Sequence, residues 1–245
     1  MTLEFVLLLL AGAFAGGFVN GLAGFGTSLF ALGWWLQVME PLEAVALALV
    51  MSVISGVPGI MVVRKSIEWP RLARFLIPAL IGIPIGLRLL HEIDAELLKL
   101  VVAGFLILYG GYFAFRRELP RMTHDLPAVD ASVGFAGGIL GAVAGLSGAL
   151  PTMWCSLRPW PKGQQRALLQ PFNVIVLGLS AVWLLVEGVY GRALGLSILV
   201  AIPATLIATQ LGIRAFEHLS DNQFRRLLIV LMLVSGVALV LRDLL

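Results

Sequence analysis

Two glycine-rich stretches inside the apolar runs of this chain carry hydrogen-bonding side chains beside their glycines. In AGGFVNGLAGFGTSLF (15–30), Asn20, Thr27 and Ser28 flank Gly21, Gly24 and Gly26. In GAVAGLSGALPT (141–152), Ser147 and Thr152 flank Gly145 and Gly148. Gln170 and Asn173 add two amides, three residues apart and so on one helix face. Glycine lets the backbone turn, and broken helices present N-termini whose partial positive charge attracts anions. Such a set suits the binding of a small anion by neutral donors. Close helix packing accounts for the same glycines, through spacings such as Gly12/Gly16, Gly17/Gly21, Gly82/Gly86 and Gly137/Gly141. For Gln170 and Asn173, interhelical hydrogen bonding stands beside substrate contact, and Gln210 is read the same way.

An oxyanion ordinarily wants a cation or many donors. Arg88, Arg166 and Arg214 come closest, each at the end of an apolar run. They either attract anions at vestibules or anchor helix ends in the membrane interface. Other chemistry is thinly supported. No metal-ligand cluster, phosphate loop or cofactor motif occurs, and no Asp or Glu lies deep in a run. The lone Cys155 reads as a small buried hydrophobe. The GLSG at 145–148 resembles the serine motif of intramembrane rhomboid proteases. A nucleophilic serine needs a base within hydrogen-bond reach, yet His91, His124 and His218 all lie in loops or at run ends.

The elements that must position these residues are membrane helices. The chain has 245 residues, 60% hydrophobic and 13% charged, far more apolar than a soluble domain. Its basic residues sit in short segments between apolar runs, where topology signals lie, so the net charge of +3 does not point to nucleic acid. MTLEF carries no basic n-region, and no cleaved signal peptide is expected. Charge-free runs occupy 5–39, 44–63, 75–87, 100–115, 131–157, 167–186, 193–213 and 227–241. The first would be roughly 52 Å long as one helix, too long for one straight span and too short for two. The fifth resembles it.

FAGGFVNGLAGFG (14–26) aligns with FAGGILGAVAGLS (135–147), an offset of 121 residues. IPALIGIPIGLRLL (77–90) likewise resembles IPATLIATQLGIRAF (202–216), pairing Gly86 with Gly212. The chain is thus two copies: repeat 1 over 1–115, a linker over 116–129 and repeat 2 over 130–245. If runs one and five turn back within the membrane, Lys and Arg divide thirteen against four between its sides, the bias expected of cytoplasmic loops. The expected fold is therefore an all-α integral membrane protein. It is an inverted repeat of two halves, each a re-entrant glycine-rich helical hairpin plus three transmembrane helices. Eight full spans are the alternative. The linker is expected in the cytoplasm and both termini outside.

GLAGFGTS (21–28), GAVAGLSGALP (141–151), the copied IP…G-x-R element and RALLQPFN (166–173) together resemble the sulfite exporter TauE/SafE family of membrane transporters, over nearly the whole chain. The resemblance implies a secondary transporter in the cytoplasmic membrane that moves small sulfur-containing anions such as sulfite, sulfoacetate or related organosulfonates, in the export direction. It implies no enzyme activity and no cofactor or metal. The partners are a small anionic substrate and membrane lipid, not nucleic acid, and a homo-oligomer stays open. So do a passive anion channel, the serine protease, the identity of the anion and the coupling ion.

Overall fold

Glycine decides where the first helix stops. In α1 (Leu3–Ala23) the side chain of Thr2 caps the start by accepting from the Phe5 N–H, and Gly24 ends the helix at φ 83°, a left-handed turn that favours glycine. Gly26, at φ 99°, then redirects the chain into α2 (Thr27–Trp35). α2 runs back along α1. Gly16 lies so close to the Thr27 carbonyl that a Cβ there would collide with it. Nearer the start of α1, the Trp35 indole covers Gly12 and donates to the Leu9 carbonyl at 3.1 Å. The charge-free run at 5–39 is therefore a bent helical hairpin.

The computed structural model describes residues 2–94 and 124–220 continuously, with isolated residues between 96 and 122 and between 223 and 230. After the first hairpin come α3 (Pro41–Val63), a 3-10 turn (Arg64–Ser66) and α4 (Trp69–Glu92). The second half repeats this order with α5 (Pro127–Ala144), α6 (Ala149–Ser156), α7 (Lys162–Val186) and α8 (Arg192–His218). Gly145 ends α5 at φ 65°, as Gly24 ends α1. α6 folds back on α5, with Ser147 against Gly137 and Gly141. The Trp154 indole donates to Asp130 at 2.7 Å. Leu9 and Asp130, the two indole acceptors, stand 121 residues apart, which is the repeat offset.

Packing between the halves follows the same exchange. The two most extensive helix pairs are α4 with α5 and α1 with α8, and α3 with α7 comes next. Gly17 abuts the Thr205 backbone, as Gly138 abuts that of Ala79. Gly212 abuts Phe18, as Gly86 abuts Ile139. Absent side chains let these backbones approach closely, which is how helices associate without a hydrophobic driving force between them.

The described residues are all-helical. Six of the helices, namely α1, α3 with its 3-10 extension, α4, α5, α7 and α8, are long and apolar enough to cross a membrane, so this is a multi-pass membrane protein. α2 and α6 are not: at nine and eight residues they rise only about 12–14 Å. The runs at 100–115 and 227–241, half of the 116–129 linker, and Lys99, Arg116, Arg117, Arg121, Arg225, Arg226 and Arg242 lie largely or wholly outside the described residues. The last three linker residues are already helical, since α5 begins at Pro127.

Candidate functional site

The two hairpins meet at their tips. Gly148 lies so close to Phe25 and Asn173 that a Cβ on it would stand 2.6 Å from the Phe25 Cβ, and Gly145 packs against Ser28. Asn173, about 17 Å along α7 from Lys162 at helical rise, joins both tips. Its Nδ2 donates to the Gly24 carbonyl at 2.8 Å, and its Oδ1 accepts from Ser147 Oγ at 2.5 Å. Three residues earlier, Gln170 Nε2 donates to the Gly56 carbonyl at 3.1 Å and reaches Asn20 Oδ1 at 3.4 Å. Asn20 Nδ2 in turn donates to Thr27 Oγ1 at 2.8 Å and Ser55 Oγ at 2.7 Å, with the Ser52 carbonyl at 3.3 Å. A continuous polar network thus runs from α7 through the first hairpin to α3.

Arg166 extends this network. It is 1% exposed. Its Nε donates to Gln170 Oε1 at 3.2 Å and its Nη2 to the Gly21 carbonyl at 2.8 Å. That second bond caps an orphan carbonyl in the last turn of α1. The guanidinium lies 4.3 Å from the centre of the Phe216 ring. On the hairpin helices and α7, three buried polar atoms carry no hydrogen-bond partner: Arg166 Nη1, Ser28 Oγ on α2 and Thr152 Oγ1 on α6. Leaving a buried polar group unpaired costs about 1–3 kcal/mol, so these atoms favour a ligand that pairs with them.

The residues singled out by sequence divide clearly. Asn20, Gly21, Gly24, Thr27, Ser147, Gln170 and Asn173 are joined by hydrogen bonds around the tips. Gly26, Ser28, Gly145 and Gly148 form the turns or pack across them. Thr152 is buried on α6 without a polar partner. Arg166 is buried, with Phe216 of α8 lying over it. Arg88, Arg214 and Gln210 are exposed and are not brought to the tips. Sequence reasoning passed over Ser52 and Ser55. Their signal was the S-x-x-S-G spacing in the second run, which puts two hydroxyls and Gly56 on one face. Among the described residues no base is seen on Ser147: its hydroxyl donates to the Asn173 amide oxygen, His91 pairs with Glu187 at 3.0 Å, and the His218 ring lies against the Arg214 carbonyl at 2.7 Å. Cys155 is fully buried.

Paired broken helices around a buried polar centre, within a bundle of apolar spans, define a membrane transporter. Residues 8–239 match the family model described as Sulfite exporter TauE/SafE, and the chain belongs to that family. It is a transporter rather than an enzyme. A curated relative named "Probable sulfite/organosulfonate exporter TauE", from Cupriavidus necator, is 27% identical over 242 residues, covering 93% of this chain and 90% of the relative. No solved structure matches the chain.

Proposed function

We propose that this protein is a secondary transporter that exports small sulfur-containing anions, such as sulfite, sulfoacetate or related organosulfonates, across the cytoplasmic membrane. The observation that carries the reading is Asn173 bridging both hairpin tips; the short helices that follow those tips each hold a buried, unpartnered hydroxyl, Ser28 and Thr152. The site comprises Asn20, Gly21, Gly24, Gly26, Thr27, Ser28, Gly145, Ser147, Gly148, Thr152, Gln170 and Asn173. Alternating access works by parting and closing the tips, with Asn173 as the shared hinge contact. The hairpins are re-entrant and the halves inverted, with the linker in the cytoplasm and both termini outside. The exchange-related glycine contacts support the two-fold relation of the halves.

Most donors at the tips are neutral, which suits a carrier that must release what it binds. Purified protein in vesicles is expected to move labelled sulfite or a related organosulfonate. Unlabelled anion on the opposite side should accelerate exchange. A channel would move label without that acceleration, and no flux of any of these anions would sink the proposal. Replacing Ser147 with Ala should reduce flux only in part.

A further inference from the structure

Arg166 lies one turn into α7, about 6 Å along the axis from Lys162, yet it is almost wholly buried. The Phe216 ring accounts for this. The Arg166 guanidinium is 4.3 Å from the ring centre and the Lys162 ammonium 4.6 Å from it. Lys162 is engaged at the helix end, where its ammonium donates to the Phe216 carbonyl at 2.9 Å and to the Leu219 carbonyl. It does not enter the network at the tips. Arg158, the other buried arginine among the described residues, points elsewhere, to the carbonyls of Met122 and His124 and toward Asp130 at 3.8 Å. Among the described residues, then, Arg166 is the cation joined to the polar centre.

Capping Gly21 and holding Gln170 uses Nη2 and Nε. Neither task needs Nη1, which has no partner. The acidic group that acts on Arg166 electrostatically, Glu217, is exposed on the last turn of α8, where water screens it. The positive charge is therefore left for something else to balance.

We infer that Arg166 is the charge-selecting residue of this site. Its Nη1 takes one oxygen of the anion, and its single charge restricts the cargo to monoanions. Hydrogen sulfite and sulfonates bearing one charge fit this rule; sulfate, the sulfite dianion and sulfoacetate, which carries both a sulfonate and a carboxylate charge, do not, so the rule narrows the cargo proposed above. A dianion would bring one unbalanced charge into a centre whose other donors are neutral, and an unpaired buried charge is strongly disfavoured. The inference rests on the anion-transport reading above.

The test uses the full chain in vesicles, with labelled methanesulfonate as the monoanion and sulfate as the dianion. Wild-type protein is expected to favour methanesulfonate by about tenfold or more, the scale of one unpaired charge partly relieved by water. R166K keeps the charge but loses the fork geometry; it should keep that preference while KM rises and kcat changes little. R166Q should lose methanesulfonate flux. Equal transport of sulfate and methanesulfonate by wild type overturns the inference, and so does a wild-type KM in R166Q. If R166Q fails to elute as a single species in detergent, the wild-type and R166K preferences decide. A wild type that moves no sulfur anion at all sinks the transport reading itself. Flux that ignores substrate charge sinks only the role of Arg166.

Discussion

Asn173 joins both hairpin tips. It gives one hydrogen bond to Gly24 and takes one from Ser147. Replacing it with Ala leaves the Gly24 carbonyl and the Ser147 hydroxyl without these partners, at a cost of about 1–3 kcal/mol for each buried group left unpaired. Thermal unfolding in detergent should show that loss, together with a sharp fall in anion flux. An unchanged melting temperature would mean that the tips are held by other contacts. Sequence placed Asn173 and Gln170 on one face because a three-residue spacing does so on any helix. It could not rank Arg166 above Arg88 and Arg214. All three stand at run ends, and only the fold of Phe216 over α7 separates them.

Helix ends and helix contacts were read from glycine with uneven success. Gly24 and Gly145 terminate α1 and α5 with positive φ, as expected of glycines at the turn of a hairpin. The glycines at 17, 86, 138 and 212 serve another purpose, close approach of helices from opposite halves. Spacing alone could not name their partners. Gly138 is buried against the Ala79 backbone, whereas at Gly195, within α8, an added Cβ would meet nothing within 4 Å. Gly138→Ala should therefore destabilise by about 1–3 kcal/mol, since rigid backbone must shift. Gly195→Ala should be neutral or stabilise by about 0.5–1 kcal/mol, because Ala loses less backbone freedom in a helix. Melting temperatures of the two variants in one detergent check this contrast of sign.

At the scale of the whole molecule, the hairpins set the topology. Trp35 returns to Leu9, so the end of α2 lies near the start of α1. Ser52 and Ser55 meet Asn20, so α3 then runs in the same direction as α1. Cysteines introduced at Thr2 and Glu40, both exposed, should label from the same face of the membrane with an impermeant reagent. Labelling from opposite faces would overturn the re-entrant arrangement.

Composition, charge-free runs and the 121-residue repeat determined a great deal without coordinates: a helical membrane protein, duplicated, with its helices broken at two glycine-rich points. Those properties are local or periodic. Apolar length, glycine at a turn and a repeated motif leave their mark within a few dozen residues. Tertiary structure decided which tip meets which, that Asn173 rather than Gln210 faces the centre, and that one arginine of three lies inside. These outcomes depend on contacts between residues far apart in the chain, such as Asn173 with Gly24 and Arg166 with Gly21. Burial of a side chain at a helix end is set by the helix that crosses it, and no spacing along one helix encodes that.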